Sequence, residues 1–312
     1  MKISDQTKGY LWTFLSIIAV SNVYIFSKAV MNQTTFPQFG FWWFFTGGIF
    51  IVIYGLVTRS FHIYKTFGKK EYSILLINGI LELTGTFFFF KAIHSVENPS
   101  VVSFLNNLSP VFVVILGILF LKEKINLREF IGIVIALSGT FLISYKGGTN
   151  LSDMFIDGAE FAIISMFIFA FNTILLKKYV RRLSPVVLTI NRVIFLTTFF
   201  FIYLLLSGDG FVIPRKAYYN VLIGSFLGPF LTVIASLHAL KYIEVSKKSV
   251  LGTTKGFFVL IGSYLFFGNF PTEIQIIGGV LTIIGAILII TGRMKLKKSL
   301  TPEKKSKVNP VN

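Results

Sequence analysis

Three charged residues of this chain stand within long apolar stretches, and their types point to ion pairing or recognition of a charged ligand. Glu82 lies in NGILELTGTFFFF, Arg192 in TINRVIF and Lys255 in VLGTTKGFFVLIG. A carboxylate beside one of the cations would form an ion pair that fixes helix packing. Because one carboxylate neutralises one cation, a positive charge is left over. This surplus favours an anionic or zwitterionic ligand over an organic cation.

Further polar residues in the apolar stretches complete a candidate binding set. The predicted substrate-binding residues are Glu82, Arg192, Lys255, Lys28, Asn106, Asn107, Thr254 and Tyr264. Lys28, at the end of the first apolar stretch, either joins the site or extends its ammonium to the lipid headgroups. For the uncharged members, two roles are open: lining a cavity and hydrogen bonding between helices.

The motif content excludes several classes of active site. The chain has no cysteine, so disulfides, thiol catalysis and thiolate metal sites are excluded. Its three histidines stand outside HExxH and any other metal-ligand spacing, and it contains no GxxxxGK[ST] phosphate loop. The sequence therefore predicts no enzyme, no metal site and no cofactor.

Ten apolar stretches form the framework that holds these residues. Of the 312 residues, 54% are hydrophobic and 14% are charged, whereas a soluble domain carries about 25% charged residues. Each stretch is close to the ~20 residues that cross ~30 Å of hydrocarbon as a helix. They cover residues 10–30, 37–58, 72–93, 99–121, 126–145, 157–179, 184–206, 217–239, 246–267 and 274–292. We predict an all-α integral membrane protein with ten transmembrane helices, the eighth kinked at Pro229.

The distribution of basic residues predicts an orientation. If the N-terminus is cytoplasmic, 23 Lys and Arg residues fall in cytoplasmic loops and termini, 4 in the opposite loops and 3 within spans. Membrane proteins accumulate positive charge on the cytoplasmic side. We predict that both termini are cytoplasmic and that the membrane is the plasma membrane of a bacterium. Because the net charge of +17 is dispersed over short loops, no nucleic-acid partner is predicted.

This orientation places the three charged residues at similar depth, since predicted spans 3, 7 and 9 all run outward from the cytoplasm. At 1.5 Å per residue, Glu82, Arg192 and Lys255 lie roughly 16, 12 and 13 Å from the cytoplasmic ends of their spans. A charged side chain at mid-span costs at least about 2.5–3.5 kcal/mol, so each one needs a partner or a role. We expect the three to line one polar cavity.

The chain also contains an internal repeat. When the sequence is shifted by 147 residues, Glu97 falls on Glu244 and Gly132 falls on Gly279. Each half holds five spans, and five is odd, so the second half enters the membrane inverted relative to the first. Inverted repeats are a transporter design, with the substrate site at the repeat interface. We predict one five-helix repeat over residues 1–146, another over 147–292, and a disordered basic tail over 293–312 in the cytoplasm.

The segment SPVFVVILGILFLKEKINLREFIGIVIALSG, residues 109–139, resembles the EamA type of the drug/metabolite transporter superfamily. Pro110, Glu123, Gly132 and Gly139 match the pattern of that repeat. The resemblance covers nearly the whole chain and implies a ten-helix transporter. The second half departs from the pattern, because Phe257 replaces the family's proline and Phe270 replaces its acidic residue.

A second segment, KSVLGTTKGFFVLIGSYLFFGN, residues 248–269, is similar to span nine of the sugar-phosphate and nucleotide-sugar translocators in the same superfamily. That resemblance implies that Lys255 holds a negative group of the substrate. Gly256 stands where the translocators keep an arginine.

Together these features predict a secondary-active transporter that moves a small polar metabolite, anionic or zwitterionic, by alternating access. Its partners would be the metabolite, the lipid bilayer, and protons or a counter-substrate, and it would act as a monomer or homodimer. Two alternatives stay open. One is a flippase for a lipid or lipid-linked sugar, and the other is a proton-coupled exporter of organic cations that uses Glu82.

Overall fold

The chain folds into a bundle of helices. The computed structural model describes residues 5–121, 125–145, 156–179, 183, 185–243 and 251–300. The α-helices in these ranges are α1 Asp5–Met31, α2 Phe36–Val57, α3 Lys69–Ser95, α4 Pro99–Leu105, α5 Ser109–Leu121, α6 Leu127–Ser144, α7 Ala159–Tyr179, α8 Pro185–Ser207, α9 Arg215–Ser225, α10 Val233–Tyr242, α11 Lys255–Phe267 and α12 Glu273–Leu300. A 3₁₀-helix precedes α3 at Ser60–Thr66, another joins α4 to α5 at Asn106–Leu108, and a π-helix joins α9 to α10 at Phe226–Thr232.

The helices have the length and surface of membrane spans. Within the described ranges, eight helical segments are long and apolar enough to cross a membrane, and they match predicted spans 1–5, 7, 8 and 10. Two shorter apolar helices, Ala159–Asn172 and Lys255–Phe267, lie at predicted spans 6 and 9. Large apolar side chains remain outside, among them Val57 at 77% and Leu206 at 81% exposure. The all-α membrane class is confirmed, and the count of ten spans stays a prediction.

Local sequence explains where several helices begin. Thr35 caps α2 with its hydroxyl, which accepts from the backbone N–H of Gln38, while the Gln38 side chain accepts from the backbone N–H of Thr35. Asn126 and Glu129 form the same reciprocal box at the start of α6. Such boxes satisfy N–H groups that the first helical turn leaves without partners. Asn126 also donates to the carbonyl oxygen of Gly292 at 2.9 Å, which ties α6 to α12.

An aromatic core joins the two halves of the chain. Phe39 and Phe44 of α2 and Phe90 of α3 pack with Phe200 of α8, and all four are at most 2% exposed. The rings of Phe39 and Phe90 lie 4.9 Å apart, and those of Phe44 and Phe200 lie 5.8 Å apart. Aromatic pairs at such distances add stability beyond the area they bury. This core holds α2, α3 and α8 as one unit.

Helices α6 and α12 pack backbone against backbone in antiparallel directions. A Cβ added at Gly139 would lie 2.6 Å from the carbonyl oxygen of Gly278, and one added at Gly132 would lie 2.8 Å from that of Gly285. Small residues allow this close approach of membrane helices. The four glycines therefore set the distance between α6 and α12.

Three predicted spans are interrupted in the structure. Predicted span 4 changes to 3₁₀ geometry at Asn106–Leu108, just before Pro110, whose missing N–H removes a helical hydrogen bond. Predicted span 8 contains Pro229 within a π-helical segment rather than in a simple kink. In predicted span 9, Thr253 and Thr254 form a turn, and Lys255 is the first residue of α11. Lys255 thus begins a helix rather than lying in the middle of one.

The structure differs in part from the prediction for the C-terminal tail. Helix α12 continues to Leu300, eight residues beyond Gly292, where we expected the disordered segment to begin. Residues 301–312 lie outside the described residues.

Candidate functional site

A polar cavity of about 310 Å³ lies where α1 meets the two interrupted spans. We call it the Lys255 cavity. Its polar lining comes from α1, from the junction of α4 and α5, and from the turn before α11: Thr13, Ser16, Asn106, Asn107, Ser109, Thr253 and Lys255. Its apolar lining is Ile17, Val20, Pro110, Gly252 and Ile290. The two helix interruptions therefore face the same space.

Lys255 brings an uncompensated positive charge to this cavity. The Thr254 hydroxyl donates to the carbonyl oxygen of Leu251 at 2.7 Å, so it does not cap α11. Ser21 donates to the backbone carbonyl of Lys255 at 3.3 Å. No residue that the structure describes forms an ion pair or hydrogen bond with the Lys255 ammonium. The start of a helix carries partial positive charge, which adds to that of the ammonium.

Asn106 and Asn107 differ in their hydrogen bonding. Asn106 donates its amide to the hydroxyl oxygen of Tyr24, so its direction is fixed. Asn107 is 3% exposed, and among the described residues its Nδ2 has no acceptor. A buried donor without a partner costs about 1–3 kcal/mol. Asn107 belongs to the cavity wall, but its Nδ2 is enclosed by the protein and is not open to the cavity.

Two hydroxyls of α1 in the lining are engaged with the backbone. Thr13 donates to the carbonyl oxygen of Gly9 at 2.8 Å, and Ser16 donates to that of Thr232 at 3.2 Å. The described lining includes no carboxylate. The electrostatic balance of the Lys255 cavity is consequently positive.

Glu82 and Arg192 lie in a second polar cluster, which we call the Glu82 network. Arg192 Nε lies 3.1 Å from Glu82 Oε2, and Arg192 Nη2 donates to Thr86 Oγ1 at 3.1 Å. Asn172 donates to Glu82 Oε1 at 2.8 Å and accepts from Asn78 at 3.0 Å. Residues of α3, α7 and α8 are thereby joined by an ion pair and hydrogen bonds.

The structure thus separates the three charged residues that we expected in one cavity. The lining of the Lys255 cavity comes from α1, α4–α5, α11 and α12 and includes neither Glu82 nor Arg192. The depth of a residue along its span is readable from the sequence, but the direction it faces around the bundle depends on tertiary packing. Residues at the same depth in the membrane can therefore face different cavities or helix interfaces.

Lys28 neither extends to the lipid headgroups nor lines the Lys255 cavity. Its side chain is buried, and its ammonium donates to the carbonyl oxygens of His94 and Val96, both at 2.8 Å. These carbonyls belong to the C-terminal end of α3, where the helix dipole favours a cation. Lys28 therefore ties α1 to the end of α3.

The remaining candidates also differ from expectation. Tyr264 is 55% exposed, and its ring lies against Phe270 with centroids 5.9 Å apart, outside the cavity lining. Thr254 bonds to its own turn, and its neighbour Thr253 lines the cavity instead. Thr13 and Ser16 were not predicted. Their spacing of three residues on one face of an apolar helix was the available signal.

Comparison with known proteins supplies the family context. The sequence matches the EamA-like transporter family over residues 7–145 and again over residues 157–291. An uncharacterized transporter from Synechocystis sp. is 27% identical over 248 residues, which is 76% of this chain and 70% of that protein. An uncharacterized transporter from Haemophilus influenzae is 26% identical over 274 residues, which is 81% of this chain and 87% of that protein. A solved crystal structure superposes with a TM-score of 0.66 at 16% identity, covering 94% of this chain and 99% of the other.

Proposed function

This chain belongs to the EamA-like transporter family, and from that premise we propose that it is a secondary-active transporter that moves a small anionic or zwitterionic metabolite by alternating access. The chain is a membrane transporter, as its family and its relatives are. The proposal concerns the substrate charge, the site and the mechanism. Protons or a counter-substrate would drive the movement.

The observation that carries the proposal is the Lys255 ammonium, which no described residue neutralises. Glu82 is paired with Arg192 in the Glu82 network, so the surplus positive charge counted from the sequence belongs to Lys255. A desolvated cation without a partner is costly unless a mobile anion meets it. A substrate with a negative group would supply that partner while it is bound and remove it on release. The Lys255 cavity is therefore the proposed substrate site.

The positions of the helix interruptions support an inverted repeat. Asn106 and Asn107 precede Thr253 and Thr254 by 147 residues, the same shift that relates the two halves of the sequence. The contact between α6 and α12 has a similar symmetry. A shift of 146 residues moves Gly132 onto Gly278 and Gly139 onto Gly285. The contact between Gly132 and Gly285 is thereby related to the contact between Gly278 and Gly139. Interrupted helices at a repeat interface are a feature of transporter substrate sites.

Contacts between α4 and α11 indicate which conformation is present. The Asn98 side chain, at the start of α4, accepts from the Ser263 hydroxyl at 3.0 Å and donates to the carbonyl oxygen of Asn269 at 3.3 Å. This seal joins the two halves at the end of α11 opposite to Lys255. With the N-terminus in the cytoplasm, the seal is extracellular. We propose that the structure represents a state closed to the outside.

Counterflow in proteoliposomes tests the proposed function. The substrate is first selected by thermal stabilisation of the purified protein with amino acids, carboxylic acids, nucleotides and sugar phosphates. We expect counterflow of that compound to be lost in Lys255→Met and partly kept in Lys255→Arg. Lys216→Met, which removes an exposed lysine at the start of α9, is the matched control and should transport normally. Unchanged substrate affinity in Lys255→Met would refute the site.

A further inference from the structure

We infer that the Lys255 cavity accepts a monocarboxylate whose remaining body is uncharged and partly apolar. This inference rests on the proposed function and narrows its substrate class. It would exclude zwitterionic amino acids and phosphate esters as preferred substrates.

The first argument is the charge balance of the cavity. The described lining holds one cation, Lys255, and no carboxylate. The ammonium of an amino acid would lose water there without gaining an anionic partner, which is unfavourable. A phosphate ester carries close to two negative charges at neutral pH and would find one cation. A single carboxylate would neutralise the one cation of the described lining, Lys255.

The second argument is the free hydrogen-bond donor of the cavity, the Lys255 ammonium. The cavity offers one donor that no described residue uses, the Lys255 ammonium, and a carboxylate oxygen can accept from it. The first turn of α11, which Thr254 leaves uncapped, adds a favourable potential for an anion. A free donor in the cavity needs an acceptor on the ligand.

The third argument is the size of the cavity and its apolar lining. Ile17, Val20, Pro110 and Ile290 form the apolar part of the wall. The volume of about 310 Å³ is at the small end of the roughly 300–1,000 Å³ typical of ligand pockets. A lipid-linked sugar or a nucleotide sugar exceeds that space. A short aliphatic or aromatic acid would place its carboxylate at Lys255 and its body against the apolar wall.

A set of four probes with one common body tests the inference. The probes are 3-phenylpropanoate, phenylalanine, 2-phenylethyl phosphate and 3-phenylpropanamide, measured by calorimetric titration of the purified full-length protein. We expect 3-phenylpropanoate to bind at least tenfold more tightly than each of the others. Its affinity should fall at least tenfold in Lys255→Met and in Asn107→Asp, whose added carboxylate repels the ligand. Lys216→Met should bind like the wild type.

A labelling experiment keeps the test independent of the stability of these variants. Because the chain has no cysteine, Ser109→Cys introduces a single thiol at the cavity wall, and the wild type is the unreactive control. We expect 3-phenylpropanoate, but not 3-phenylpropanamide, to slow maleimide labelling of Cys at this position at least fivefold. Absence of protection together with absence of binding would overturn the inference.

The remaining outcomes separate this inference from the proposed function. If phenylalanine or the phosphate ester binds most tightly and depends on Lys255, the monocarboxylate class is wrong while the proposed substrate site stands. If 3-phenylpropanoate binds equally well with Lys255→Met, both the class and the site are wrong.

Discussion

The Glu82 network and the Lys255 cavity are two polar regions within the helix bundle built from similar residue types, but the charges of the first neutralise each other whereas the second keeps a net positive charge. In the Glu82 network, the carboxylate faces Arg192 at 3.1 Å and accepts from Asn172 at 2.8 Å. In the Lys255 cavity, the ammonium and the Asn107 amide have no partner among the described residues. The comparison teaches that a charge inside a span does not by itself mark a binding site. An unmatched charge next to space for a ligand is the stronger criterion.

Within the two polar regions, the largest effect should come from removing the carboxylate of the Glu82 network. Glu82→Gln leaves the Arg192 charge without its partner, and breaking a buried pair costs about 3–5 kcal/mol. The Arg192 side chain is 32% exposed, so solvent lowers the expected loss of unfolding free energy to about 2–3 kcal/mol. Reversible unfolding in mixed micelles measures it. The double variant Glu82→Gln/Arg192→Met should regain most of the loss, and an undiminished stability of Glu82→Gln would contradict the pairing.

A matched pair of asparagine variants compares the two regions directly. Asn172→Leu removes the donor to Glu82 and the acceptor of Asn78, so we expect the unfolding free energy to fall by about 2 kcal/mol. Asn107→Leu removes no hydrogen bond that the structure describes and removes a buried donor without a partner, so the unfolding free energy should stay unchanged or rise by up to about 1–3 kcal/mol. The same micelle unfolding assay applies. Equal losses in the two variants would remove the distinction between the regions.

Thr86→Val should have a smaller effect within the Glu82 network. It removes the acceptor for Arg192 Nη2 at 3.1 Å while it keeps the volume of the side chain, and the loss of one hydrogen bond costs about 1 kcal/mol. Thermal unfolding measures the loss, and transport of the selected substrate should persist in the folded protein. Loss of substrate binding in stable Thr86→Val would show that the network touches the substrate.

The smallest change in stability is expected for Lys255→Met. Removal of a cation without a partner gives up no described interaction, so the unfolding free energy should stay within about 0.5 kcal/mol of the wild type or rise. Lys28→Met is the contrasting variant. It loses two hydrogen bonds to the end of α3, at about 1.5–3 kcal/mol each for a charged donor, and should be clearly destabilised. A loss of more than about 1 kcal/mol in Lys255→Met would indicate a structural role.

The sequence predicted the helical class and singled out Lys255, because a charge in an apolar stretch is visible without coordinates. It did not predict which charges meet. The partners Glu82 and Arg192 are 110 positions apart, and the direction in which each faces depends on how α3, α7 and α8 pack. Lys28 was unpredictable for a related reason, since its partners are backbone carbonyls, and any residue can present those.

The helix interruptions were only partly visible in the sequence. Pro110 and Pro229 disturb helical hydrogen bonding and so mark two of the interrupted spans. The turn at Thr253 and Thr254 has no proline and no unusual glycine geometry, and its β-branched residues weaken a helix only slightly. The position of Lys255 at the start of α11 therefore came from tertiary structure.

A structure determined with the transported substrate bound tests the central claim most directly. We predict that its negative group lies within hydrogen-bond distance of Lys255 Nζ, about 2.7–3.2 Å, and that the Glu82–Arg192 pair remains closed at its present 3.1 Å. A substrate bound at Arg192 with the pair opened, and Lys255 left without contact, would contradict the account.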